Sequence, residues 1–320
     1  MGRFLLNLIA LAAVGALFFY WAPREEMQGD PTFDDTQIGD DVQAYIAAAE
    51  ARFETIRPGL NKQIIWAGDA GKKTALSVVY VHGYSASLQE VRPLPDDIAK
   101  ALGANLFYTR LTGHGQDGAA LAKATAGDWQ RDMAEALALG RAVGQEVLVI
   151  GTSTGGTLAA LAALNAEQMA QVKGVVLISP NFGIKNPLSV LLRFPLARQW
   201  LPLIAGQVRG FTPQNAAHEQ YWTTSYPSVA LFQMAALVAH GAAQDYGQAQ
   251  VPALFVISDE DQVIRADLAR KAAAQWGAEV FQVLPAEGLD PFNHVLAGDV
   301  LSPNGTAPTV EAILNWVAAN

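Results

Sequence analysis

From residue 62 onward the chain repeats one pattern: a short, almost unbroken apolar run rich in β-branched residues, then a longer alanine- and leucine-rich segment. The runs fall at Gln63–Trp66, Leu76–Val81, Asn105–Thr109, Glu146–Ile150, Val172–Ile178, Leu254–Ile257 and Val280–Leu284. Helical segments separate most of them, at about 88–102, 119–143, 155–169, 262–276 and 309–318. A strand that is apolar on both faces must be covered on both faces, and the intervening helices supply that cover. The pattern therefore predicts an α/β fold with a mainly parallel, twisted sheet flanked by helices. Such sheets hold their sites at the carboxyl ends of the strands. One interval breaks the rhythm. Between Pro180 and Val251 there is no strand-like run, only apolar helical stretches near 187–205 and 227–240. This predicts a helical lid insertion over 181–250, with 42–180 and 251–320 forming the core.

Composition narrows the function classes. Apolar residues make up 51% of the chain and charged ones 16%, which excludes a disordered polymer. The net charge is -9, and the longest basic runs are pairs such as Lys72-Lys73, so no nucleic-acid partner is expected. The absence of cysteine removes disulfides, thiolate metal sites and a cysteine nucleophile together.

The first residues read differently. Phe4 to Ala22 is apolar apart from Asn7, Gly15 and Tyr20, and Phe18, Phe19, Tyr20 and Trp21 cluster at its end. Residues 1–23 are therefore expected to be a transmembrane helix that anchors the protein to a membrane. A cleaved signal peptide ending near Val14-Gly15-Ala16 is the alternative. Arg3 before the span, against Arg24, Glu25 and Glu26 after it, places the catalytic body outside the cytoplasm. Residues 24–41, rich in carboxylates with Gly29 and Pro31, read as an acidic solvated tether, and Asp40 or Asp41 as the cap of a helix through about Phe53.

The chemistry concentrates in three places. Glu146 to Gly156 reads as a strand, a G-x-S-x-G turn around Ser153, and the start of a helix. A turn this sharp needs glycine beside the serine, and the helix N-terminus favours negative charge developing near its oxygen. An alcohol needs a base and an oriented acid to become a nucleophile. Downstream, Asp259, Glu260 and Asp261 leave the end of one strand, and His294 is the only histidine in the last 80 residues. Serine, acid and histidine thus occur in nucleophile-elbow order. The segment Val81-His82-Gly83-Tyr84 follows an early strand, so the Tyr84 and Thr154 N–H groups are candidate oxyanion donors. His82 shapes that loop rather than titrating, and His218 and His240 sit in the insertion. No H-E-x-x-H, EF-hand or G-x-x-x-x-G-K-[ST] pattern is present, so neither metal nor cofactor is expected.

With these motifs the chain resembles the α/β-hydrolase superfamily, closest to its branch of monoacylglycerol lipases, lysophospholipases, carboxylesterases and serine aminopeptidase-like hydrolases. The resemblance covers about residues 60–320 and rests on His82-Gly83, Leu111 to Gly115, Gly151 to Gly156, the turn from Ser258 to Val263, and His294. It implies that Asp261 is the acid, three residues after Ser258, with Asp259 in reserve, and that His114 is structural. Ser258 and Thr112 depart from the family's usual glycine and proline. The implied activity is hydrolysis of acyl esters through an acyl-enzyme on Ser153, the triad being Ser153, Asp261 and His294. An apolar lid containing Leu191, Leu192, Phe194, Leu201, Leu203 and Leu231 would favour a small-molecule or lipid-like ester; no obligate protein partner is inferred. A peptidase or amidase with the same triad, and a catalytically silent binding module, are the alternatives.

Overall fold

The computed structural model describes residues 2–320, except for the side chains at 3, 8, 11, 12, 14, 16, 18 and 19. Its strands are β1 (Gln63–Ile65), β2 (Thr74–Val81), β3 (Asn105–Tyr108), β4 (Gly144–Thr152), β5 (Val172–Ile178), β6 (Val208–Gly210), β7 (Ser225–Pro227), β8 (Ala253–Ile257) and β9 (Glu279–Gln282). The helices are α1 (Gly2–Trp21), α2 (Val42–Glu50), α3 (Leu94–Leu102), α4 (Gly118–Lys123), α5 (Ala126–Val143), α6 (Thr154–Ala162), α7 (Ala197–Ala205), α8 (Ala216–Tyr221), α9 (Ala230–Ala242), α10 (Ala266–Trp276) and α11 (Pro303–Ala319).

Seven strands form one sheet in the order β1-β3-β2-β4-β5-β8-β9, parallel throughout except where β1 runs against β3. Successive residues of one strand feed opposite faces. Val79, Val147, Val149, Val175 and Phe255 share one buried cluster with Trp129, Met133 and Leu137 of α5. Their neighbours Val78, Leu148, Ile150, Val176 and Leu254 share a second cluster, on the other face, with Ile98 of α3 and Ile313 and Trp316 of α11. Both faces are dry, which is why these strands read as continuous apolar runs. Each such side chain contributes about 1.5–3 kcal/mol of burial free energy. The helix predicted over 119–143 is two helices: Thr125 leaves helical geometry and starts α5 with a capping box to Asp128.

Adjacent strands β5 and β8 are joined by the long insertion, which carries α7, α8, α9 and the small β6–β7 hairpin. Of the apolar residues expected in it, Leu191, Leu192, Leu201 and Leu231 line a cavity of about 320 Å³, and Phe194 packs beside them. Leu203 faces outward instead and is 75% exposed.

The N-terminal expectation needs correction. The apolar run does form a helix, α1, but among the described residues no helix is long and apolar enough to cross a membrane. The transmembrane helix, the membrane attachment and the extracytoplasmic placement drawn from it are therefore not supported. Leu8, Leu11, Ala12, Val14 and Ala16, part of the apolar run on which the expectation rested, have side chains outside the described residues. Arg3, Phe18 and Phe19, on which the orientation and the aromatic end partly rested, have side chains outside the described residues.

Residues 24–41 are mostly exposed, with Ile38 buried, and they make specific contacts with the rest of the chain. Glu25 pairs with Arg198 of α7 and accepts from Gln233 of α9, while Asp35 pairs with Arg141 of α5. Gln28 receives the Gly127 N–H on its carbonyl at 2.7 Å, an approach possible because Gly29 (φ 92°) and Gly127 present bare backbone to each other. Asp41 caps α2, as the sequence suggests.

Candidate active site

β4 ends at Thr152 and α6 starts at Thr154, so a single residue turns the chain. That residue, Ser153, sits at φ 51° and ψ -114°. Side chains rarely occupy this region, and holding one there costs on the order of 1–3 kcal/mol. The flanking glycines make it possible. A methyl group on Gly155 would lie 2.1 Å from the Val81 carbonyl oxygen, and one on Gly151 would lie 2.6 Å from that of Gly155. The Ser153 hydroxyl makes no capping bond to α6, and the Thr154 N–H, first in the helix, has no intrahelical partner.

The acid and the histidine come from the neighbouring strand ends. Asp261 follows β8 and is fully buried. Its Oδ1 accepts the Val263 and Ile264 N–H groups at 2.7 and 2.8 Å, which aims Oδ2 at His294 Nδ1, 2.8 Å away. His294 lies in the loop after β9, and its carbonyl takes the Ser179 hydroxyl at the end of β5, beside β4. Burial alone would lower its pKa, but the Asp261 carboxylate, with Glu90 and Asp290 behind it, holds the imidazole above its ordinary value. Among the described residues no hydrogen bond joins the Ser153 hydroxyl to His294. Asp259, the reserve acid, points away and pairs with Arg270.

Two of the predicted features meet at Gly83. His82 Nδ1 bonds the Gly83 carbonyl at 2.9 Å, and its Nε2 accepts the Leu111 N–H at 3.1 Å. Those partners assign the proton to Nδ1, and burial lowers the His82 pKa to about 4, so the ring stays neutral and structural. The Tyr84 N–H, like that of Thr154, donates no hydrogen bond among the described residues. A methyl on Gly83 would lie 3.1 Å from the Ser153 Cβ, so this loop lies against the serine.

Two carboxylates at the site carry no signal in the sequence. Asp290 is buried and accepts the N–H groups of Phe292, His294 and Val295 and the Gln214 amide of the insertion, fixing the histidine loop. Glu90 is buried beside Gly83. The remaining histidines stand apart. His114 is packed among His82, Tyr84 and Trp129, His218 lies between Phe211 and Trp222, and His240 contacts Gln244. Among the described residues no group of His, Asp and Glu stands at metal-binding spacing.

A family model described as "Alpha/beta hydrolase family" matches residues 78–299. Over 189 residues the chain is 28% identical to a thermostable monoacylglycerol lipase of Bacillus sp. (strain H-257), covering 59% of this chain and 72% of the lipase. In structure it is similar to a protein described with LipS and LipT, two metagenome-derived lipolytic enzymes, with a TM-score of 0.67 and 21% identity, covering 83% of this chain and all of that one. It is also similar to the monoacylglycerol lipase of Paleococcus ferrophilus, with a TM-score of 0.56 and 13% identity, over 81% and 98% of the two chains. At these identities the two structural likenesses bear on the fold alone.

Proposed function

Given that the chain belongs to the α/β-hydrolase family, we propose that it cleaves acyl esters through an acyl-enzyme on Ser153. One observation carries this reading: a buried 2.8 Å Asp261–His294 hydrogen bond at the same carboxyl end of the sheet as a strained serine whose hydroxyl serves no cap. In this reading His294 takes the Ser153 proton as the hydroxyl attacks the carbonyl carbon. Asp261 holds the Nδ1–H tautomer and stabilises the imidazolium, and the Tyr84 and Thr154 N–H groups receive the oxyanion. His294 then protonates the leaving alcohol, and water attacks the acyl-enzyme by the same route.

The insertion at 181–250 acts as a lid over the acyl group. The name of the Bacillus relative supports a small lipid-like ester as substrate; the apolar cavity of about 320 Å³ within the insertion has none of Ser153, Tyr84, Thr154 and His294 in its lining. The test is hydrolysis of a p-nitrophenyl acyl series, with aminoacyl-nitroanilides as the amide arm. Ester turnover should exceed amide turnover, and Ser153→Ala should lose both hydrolysis and fluorophosphonate labelling with its circular dichroism unchanged. Undiminished hydrolysis by that variant would refute the triad.

A further inference from the structure

Glu90 lies seven residues beyond Gly83, is 3% exposed, and has no role in the triad. Its Oε2 accepts the Gly83 N–H at 2.7 Å and the Tyr80 hydroxyl at 2.9 Å. The Tyr80 hydroxyl is also hydrogen-bonded, at 3.2 Å, to that of Thr152, the residue before Ser153. Gly83 is thereby held from both sides. Glu90 fixes the 82–83 peptide through its N–H, and His82 fixes the 83–84 peptide through its carbonyl. In a trans peptide the N–H points opposite to the carbonyl, so the two bonds together set the direction of the Tyr84 N–H. A methyl on Gly83 would lie 2.7 Å from Glu90 Oε1 and 3.1 Å from the Ser153 Cβ, so the carboxylate abuts the serine as well.

A neutral acceptor would hold the Gly83 N–H at less cost, because burying a carboxylate is expensive. Among the described residues no lysine or arginine pairs with Glu90. The titratable groups that face it are Tyr80 of β2 and His294 of the loop after β9, with Asp261 and Asp290 beyond His294. Burial raises its carboxyl to about 7, against the pull of Gly83, Tyr80 and His294.

We propose that Glu90 is a positioning residue of the oxyanion hole: it clamps Gly83 so that the Tyr84 N–H is aimed at the substrate oxygen. The proposal rests on the reading of Ser153, Asp261 and His294 as the triad. It is tested in the full-length chain with p-nitrophenyl butyrate, measuring kcat and KM from pH 5 to 9 for Glu90→Gln, Glu90→Ala and Ser153→Ala. Glu90→Gln keeps an oxygen for the Gly83 N–H and loses the charge. It should hold kcat within about tenfold of wild type. Glu90→Ala releases the loop and should lower kcat by about 100-fold with KM little changed. A purely structural glutamate would instead lower thermal stability and leave kcat of the folded enzyme in place. Wild-type kcat in Glu90→Ala, or a fall in Glu90→Gln as deep as in Glu90→Ala, overturns the proposal while an inactive Ser153→Ala leaves the triad standing. An active Ser153→Ala overturns the triad, and this proposal with it. Should Glu90→Ala fail to fold, kcat of Glu90→Gln decides alone, a fall of about 100-fold overturning the proposal.

Discussion

Replacing Asp261 by asparagine tests the acid role with almost no change in shape. The carboxylate makes three hydrogen bonds: Oδ1 with the Val263 and Ile264 N–H groups, and Oδ2 with His294 Nδ1. The two backbone bonds select the asparagine orientation, because only its oxygen can accept them. The amide nitrogen then faces His294, where two donors would meet. The imidazole resolves the conflict by moving its proton to Nε2, the nitrogen that has to accept the proton of Ser153. The same change removes the nearest charge holding the imidazole above its ordinary value. A tautomer error of this kind costs about 10⁴-fold in kcat, or roughly 5 kcal/mol of barrier. Stability should fall by only about 1–3 kcal/mol, the worth of one hydrogen bond to a charged group. The assay is kcat for p-nitrophenyl butyrate at pH 8, beside urea unfolding of both proteins. Since Asp259 is solvent-facing and paired with Arg270, Asp259→Asn should stay within a few-fold of wild type. An Asp261→Asn enzyme within tenfold of wild type, or a more damaging Asp259→Asn, would refute the reasoning.

Three further outcomes follow from the packing. Gly155→Ala should lose most ester hydrolysis and unfold at lower urea, by about 3 kcal/mol or more, because its methyl would lie 2.1 Å from one backbone oxygen and 2.7 Å from the next; wild-type stability would show that the elbow tolerates a side chain. His82 has a folded pKa of about 4, so the native state binds fewer protons than the unfolded chain as pH falls from about 6.5 toward 4. That difference withdraws up to about 3 kcal/mol on acidification, and unfolding curves of His82→Gln should show a shallower loss across the same window. Glu25→Ala should lower stability by about 1–3 kcal/mol, because it frees Arg198 and Gln233 of the insertion from the N-terminal segment; an unchanged unfolding midpoint would show that the segment does not brace the insertion.

The parts of this molecule that were legible in sequence are those whose cause is local. Val172–Ile178 reads as a strand because each of its faces meets a helix layer, and the alternation of such runs with helices matches the parallel pairing of β2 with β3, β4 with β5 and β8 with β9. Ser153 is legible because the close approach of backbone around the turn excludes side chains two residues to either side, at Gly151 and Gly155, which leaves glycines in a fixed frame. The transmembrane expectation for the N-terminal run is not supported: among the described residues no helix is long and apolar enough to cross a membrane. The acidic segment before α2 shows in its sequence none of the partners its carboxylates meet, because these lie more than 100 residues away, Arg141 and Arg198 among them. Glu90 and Asp290 belong to the same class. Each is an ordinary acidic residue until folding sets it against backbone N–H groups beside the serine or the histidine. A buried carboxylate is stable only where several donors converge on it, and that convergence is made by strand order, not by spacing along the chain. The groups that aim a catalytic constellation are therefore the ones a sequence conceals, while those that perform the chemistry leave motifs.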